Sequence, residues 1–209
     1  MRRASRGVAS LRAQESLTMA GGCIPLVRMT LELIERLSGE AGKRGLEFLL
    51  IGGHAVNAHG YERTTLDFDF MVPSADLVAW KDVMSFLGYQ PIHETKAFAQ
   101  FEPVDGDGFR IDLMLVDAPT FVKLMAGSEV RTYGGCEIRV AGVLHLIALK
   151  LHATRTWDRA VQGKDFYDIL NLIRIHRIDI ASPDFQTILN RYATPSIKER
   201  LLSDLKRAV

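Results

Sequence analysis

The chain has 209 residues, 47% of them hydrophobic and 24% charged, with a formal net charge of +1. That composition is ordinary for a globular protein long enough to bury a sizeable core, and it excludes a nucleic-acid binder acting through bulk positive charge, though not one with a local basic patch. Cys23 and Cys136 match neither a metal-ligand spacing nor a disulfide framework, so a cytoplasmic setting is expected, and no apolar run approaches the ~20 residues of a membrane span.

Residues 1–24 are expected to be a leader outside the fold. The opening "MRRASRGVASLRAQESLTMA" is Arg-rich and has no acid before Glu15. Transit peptides share that composition. Composition alone is a weak address, so a disordered leader or an upstream start is preferred, with Met19 or Met29 as alternative starts.

From Pro25 to Arg44 the pattern is helical, with an apolar stripe of Leu26, Met29, Leu33 and Leu37 ended by Gly42 and Gly45. "LEFLLIGG" reads as a short buried strand and "HAVNAHG" as a brief helix. "TTLDFDFMV" alternates, which sets Asp67 and Asp69 on one strand face and the apolar set on the other. A helix follows, with Ser74 as its expected N-cap and Leu77, Trp80, Val83, Met84 and Leu87 as its buried face. Two strands then flank the turn Asp105-Gly106-Asp107-Gly108, and the second strand carries Asp112. That turn lacks the glutamate a calcium loop requires. A short helix at "APTFVKLMAG" and a hairpin around Gly134-Gly135 complete a sheet-containing part, 25–141. Everything from 142 to 209 reads as helical.

Chain connectivity favours the Asp112 strand lying beside that of Asp67 and Asp69. Three carboxylates would then converge, and they repel one another unless a cation offsets them. An all-oxygen set suits Mg²⁺ or Mn²⁺, and paired metals can clamp the attacking and leaving oxygens of a phosphoryl-type transfer. Gly52 and Gly53, between a strand and a helix, suit close approach of a phosphate. The six histidines form no H-x-x-x-H pair near an acid, so zinc is not expected. No Gly-x-Ser-x-Gly occurs, and neither cysteine has a catalytic context.

"IGGHAVNAHGYERTTLDFDFMV" resembles the signature of the nucleotidyltransferase superfamily, which shares the DNA polymerase β core. With "R-T-x-D-x-D", it looks closest to the abortive-infection toxins of bacterial toxin–antitoxin systems. Lys150 in "LIALKLHA" and Lys164, Asp165 and Asp168 in "GKDFYDIL" match that branch's later lysine and its K-D-x-x-D helix. The resemblance runs from about Phe48 to about Arg174 and implies an α/β (α+β) fold, a mixed sheet with flanking helices followed by a helical part. It also implies transfer of a nucleoside monophosphate from an NTP to a hydroxyl of tRNA or protein, with an antitoxin as partner. Asp67, Asp69 and Asp112 would hold metal, with Asp112 as base. Gly52, Gly53, Lys150, Lys164 and Asp165 would serve the nucleotide. Arg63 is either a phosphate contact or an unpaired turn residue. Asp165 and Asp168 either brace Lys150, touch nucleotide, or simply favour a helix N-terminus. His54 departs from the small or apolar residue usual after the glycines, and packing is the ordinary role for such a histidine. The helical tail is shorter than in larger toxins of the branch. The alternatives are a catalytically silent binding partner in a toxin–antitoxin pair and a metal-dependent phosphohydrolase.

Overall fold

A computed structural model describes residues 23–156 and 163–206; the leader expected over 1–24 falls almost wholly outside them. The chain begins with α1 (Cys23–Lys43), β1 (Leu49–Ile51) and α2 (Gly52–Ala58). Strand β2 (Asp67–Pro73), α3 (Leu77–Phe86), β3 (Tyr89–Glu94), β4 (Phe98–Pro103) and β5 (Arg110–Val116) follow. Next come α4 (Ala118–Ala126), β6 (Glu129–Tyr133) and β7 (Cys136–Val140). Helices α5 (Val143–Ala153), α6 (Lys164–Ile175), α7 (Pro183–Tyr192) and α8 (Pro195–Lys206) end the described chain.

The seven strands form one mixed sheet, ordered β3-β4-β5-β2-β1-β7-β6. Strand β2 runs parallel to β5 and antiparallel to β1. One sheet face presents Leu50, Phe68, Phe70, Val72, Ile111 and Leu113, all fully buried. Phe48 packs edge-on against Phe70 and against Trp80 of α3, at ring separations of 5.4 and 5.7 Å. On the other face α4 covers Leu49, Ile51 and Met71 with Phe121. Helix α4 starts where Asp117 accepts from the Thr120 N–H at 2.8 Å, satisfying one of the amides a helix start leaves over. The buried cluster on the first face continues through Leu146, Phe166, Ile169, Phe185 and Leu201, so α5–α8 share one core with the sheet. The Arg200 guanidinium lies 4.0 Å over the Phe166 ring and ties α8 to α6.

The structure departs from the sequence expectations at Ser74 and at Met29, and it adds one strand. Ser74 caps nothing: it opens a single 3₁₀ turn, Ser74–Asp76, and α3 begins after Asp76 with no side-chain cap. In α1 the expected Leu33 and Leu37 are buried, joined by Ile34 and Ala41, while Met29 is exposed and the Leu26 side chain lies outside the described residues. Strand β3 is an element the sequence conceals. Its side chains are mostly exposed, it carries Pro91, and its register slips between Pro91 and His93. An edge strand tolerates a proline and a bulge that an interior strand cannot.

Candidate active site

The alternation in β2 buries Phe68 and Phe70, so Asp67 and Asp69 face the opposite side. Parallel pairing sets Asp112 of β5 directly opposite Asp69, and Arg110 opposite Asp67. Gln100 of β4 is next in the row, and its Nε2 donates to Asp112 Oδ1 at 2.9 Å. These acids line a cleft of about 380 Å³. Gly52, Gly53, Arg63, Lys150, Lys164 and Asp165 line the same cleft.

Burial, and next the neighbouring Asp112, push the Asp69 carboxyl up to about 6; Lys150 and a hydrogen bond from the Gly53 N–H work in the other direction. Burial and the second carboxylate thus outweigh the nearby ammonium at Asp69. Among the described residues, no three His, Cys, Asp or Glu side chains are gathered as a ready-made metal cage. The donor chemistry of the in-register pair Asp69 and Asp112 fits Mg²⁺, which is usually held by one or two carboxylates together with substrate phosphates.

The glycine pair has a local structural cause. Gly52 has φ +65°, and a Cβ there would lie 1.8 Å from Asp69 Oδ2 and 2.6 Å from Asp69 Cβ. A Cβ on Gly53 would meet the Thr65 hydroxyl oxygen at 2.4 Å. The pair makes room for the acid strand and for Thr65. Gly52→Ala is therefore expected to displace Asp69 and cut transfer by at least about a hundredfold, with a stability loss of ~1–3 kcal/mol for the left-handed backbone and the clash. Gly42→Ala, in α1 with open space around it, is expected to be neutral or to stabilise by about 0.5–1 kcal/mol. Radiolabel transfer and urea titration of both variants check this pair.

The cationic wall comes from elsewhere in the chain. Arg63 presents its fork to Asp168, with Nε to Oδ1 at 2.6 Å and Nη2 to Oδ2 at 2.8 Å. Lys150 Nζ lies 2.6 Å from Asp168 Oδ2 and 3.2 Å from Asp165 Oδ1. Asp168 is completely buried and Lys150 is 6% exposed. Arg63 is thus not an unpaired turn residue, and it and Lys150 are both held by the α6 acids. Helix α5 packs on one side and opens to the cleft on the other. Leu146, Ile147 and Leu151 are buried, while Leu149 and Ala153 are half-buried and line the cleft. Lys164 is exposed at the cleft.

His54 turns away from this cleft. It is buried, stacks on Phe68 at 3.6 Å and shares a 2.7 Å hydrogen bond with the Tyr133 hydroxyl. Burial, and then the Arg63 charge, drive its pKa down to about 3. The unfolded chain takes up a proton at His54 below about pH 6.5 that the native chain refuses until about pH 3. Stability is thus expected to fall through that window, by up to about 1.4 kcal/mol per pH unit for this group. His54→Gln should shrink the difference in unfolding free energy between pH 7 and pH 5, and urea titration at the two pH values measures it.

The sequence profile of the nucleotidyl transferase AbiEii toxins of type IV toxin–antitoxin systems matches residues 37–208. The chain belongs to this family. It is a nucleotidyltransferase, and the AbiEii-family profile spans the acids, the glycines and the α6 aspartates alike. No curated protein sequence matches the chain significantly. Among solved structures, ANT(2″)-Ia in complex with adenylyl-2″-tobramycin is similar at a TM-score of 0.59 and 15% identity, covering 78% of this chain and 99% of that one. An antigenic nucleotidyltransferase-like protein from Paracoccidioides brasiliensis gives 0.55 and 13%, covering 88% and 92%. The lincomycin-bound lincosamide antibiotic adenylyltransferase LnuA gives 0.52 and 13%, covering 71% and 96%. At these identities the likeness is one of fold. Among the described residues of this AbiEii-family chain, no helix is long and apolar enough to cross a membrane.

Proposed function

We propose that this AbiEii-family enzyme is cytoplasmic and transfers a nucleoside monophosphate from an NTP to a hydroxyl of tRNA or protein, with an antitoxin as its partner. The observation that carries the reading is the in-register pair Asp69 and Asp112, with Asp67 on the same strand face, set in one cleft with Lys150. Mg²⁺ or Mn²⁺ bound at these carboxylates would supply charge neutralisation of the triphosphate and of the attacking oxygen. Asp67 and Asp69 would hold the cation, and Asp112 takes the proton of the acceptor hydroxyl. The hydroxyl oxygen bonds to the α-phosphorus, the bond from that phosphorus to the bridging oxygen breaks, and pyrophosphate leaves with the electron pair. Gly52 and Gly53 bring backbone to the phosphates, and Lys150 and Lys164 face the leaving charge. Asp165 and Asp168 hold Lys150 in place, and Arg63 anchors that pair. In this reading residues 25–141 form the catalytic core, and 142–209 form a helical subdomain that delivers the cations.

The test is incubation of the protein with each labelled NTP, Mg²⁺ and total cell RNA or lysate. Label on a macromolecule with release of pyrophosphate supports the reading. Free phosphate with no labelled acceptor points to hydrolysis instead. Mg²⁺ is also expected to raise the melting temperature, and an NTP to raise it further. A ligand at a hundred times its Kd stabilises by about 2.7 kcal/mol, or roughly 5–10 °C for a chain of this size. Unchanged melting with Mg²⁺ and every NTP would contradict nucleotide binding.

A further inference from the structure

The sheet ends in β3 on one side and β6 on the other, and the two edges are built differently. An edge strand presents unpaired N–H and C=O groups to any other chain, and proteins commonly blunt it with proline, lysine or a bulge. Strand β3 carries Pro91 and a register slip between Pro91 and His93. Strand β6 has no proline and no lysine. It pairs with β7 in unbroken register, from Glu129 opposite Val140 to Tyr133 opposite Cys136.

The turn after β6 shows which of its backbone groups point outward. Gly134 and Gly135 are both left-handed, with φ +61° and +93°, and together they make the two-residue turn of a tight hairpin. Tyr133 and Cys136 flank that turn and form a hydrogen-bonded pair. Such pairs alternate along an antiparallel ladder, so Arg131 with Ile138 and Glu129 with Val140 are hydrogen-bonded as well. The amides and carbonyls of Val130 and Thr132 therefore point away from β7. Both residues are exposed, Val130 by 55%. Among the described residues, neither makes a backbone hydrogen bond outside the sheet.

The side chains select what this edge can pair with. Glu129 and Arg131 share one face of the strand. Arg131 donates to Glu129 from Nη2 at 2.5 Å, while its Nε has no hydrogen-bond partner among the described residues. An antiparallel second β6, with Val130 opposite its own counterpart, sets Glu129 opposite Arg131 of the second copy and Arg131 opposite Glu129 of the second copy. Opposite charges then alternate across that face, and the outward groups of the two Val130 residues bond each other. A slip that sets Arg131 opposite its own counterpart puts like charges face to face, which is destabilising. The strand is thus complementary to itself in one register, as a two-fold contact requires.

We propose that β6 is a self-association edge, through which two copies of this chain join by antiparallel pairing centred on Val130 and continue one sheet across a two-fold axis.

Sedimentation velocity of the full chain over about a hundredfold range of concentration reads the equilibrium, because a contact this small leaves dimerisation dependent on concentration. Glu129→Arg and Arg131→Glu each set like charges opposite one another twice, and each is expected to weaken dimerisation at least about tenfold. Mixing the two variants restores opposite charges, so a heterodimer is expected where neither variant pairs alone. Val130→Pro removes an outward N–H and leaves the β6–β7 ladder whole, and it should also weaken dimerisation about tenfold or more. Melting curves report whether each variant folds, and the charge pair decides the matter if Val130→Pro does not. Wild type that stays monomeric throughout overturns the proposal and leaves the edge to an extended segment of a different protein. A dimer that survives all three changes overturns it too, since it must use another face. So does a mixture of Glu129→Arg and Arg131→Glu that associates no better than either alone.

Discussion

Asp69→Asn is expected to lose at least about a thousandfold in transfer rate and yet to melt at a higher temperature than wild type at pH 7.5 without metal. The first effect follows from removing a proposed metal-ligating charge at the reacting phosphate, where positioned metals and proton acceptors supply several orders of magnitude. The second follows from the raised carboxyl. With a native pKa of about 6 against an ordinary 3.8, the folded chain holds a proton at Asp69 that the unfolded chain has already released. Stability therefore drops as pH rises through that window, by on the order of 3 kcal/mol, and the loss persists above it. Asparagine removes this term. Melting curves at pH 4, 6 and 7.5, beside single-turnover transfer, read both effects. Equal melting at pH 7.5, or transfer near wild type, would remove Asp69 from the role assigned here. Asp67→Asn is expected to lose transfer in the same way.

Asp168→Ala is expected to be the most damaging single change to the fold. The residue is fully buried and meets both Arg63 and Lys150. Removing one partner of a buried ion pair leaves uncompensated charge and typically costs about 3–5 kcal/mol. For a chain of this length that lowers the melting temperature by roughly 6–20 °C. Asp165→Ala breaks a longer contact, 3.2 Å to Lys150, on a side chain nearer the cleft surface. It should cost distinctly less. A chemical denaturation series of the two variants checks the ranking, and equal losses would contradict it.

Much of this architecture can be read directly from the chain. The alternation of "DFDFMV" and "RIDLMLV" follows from pleating, so both acid strands and their shared face are legible without coordinates. The glycine turn is legible too, but its cause is not. Nothing in "IGGH" announces that a Cβ at Gly52 would strike Asp69 Oδ2, because that proximity arises only when β1 and β2 pair antiparallel. The Arg63–Asp168 pair joins residues 105 apart, and charge patterning is informative only over short helical spacings. Gln100 and Thr65 carry no local signal at all. Each gains its meaning from the strand or turn beside it. Strand β3 stayed hidden because an exposed edge needs neither alternation nor a proline-free run.

The clasp between Arg63 and Asp168 also bears on how such enzymes can be recombined. A fragment ending after β7 would keep Asp67, Asp69 and Asp112, yet it would strand Arg63 without its counter-ion and lose Lys150 entirely. A helical tail grafted from another protein would need an aspartate at the Asp168 position before it could seat on this sheet. The second requirement is a lysine one helix earlier, within reach of that same carboxylate. Sheet and tail are thus exchangeable only as a matched set, whatever acceptor the tail brings with it.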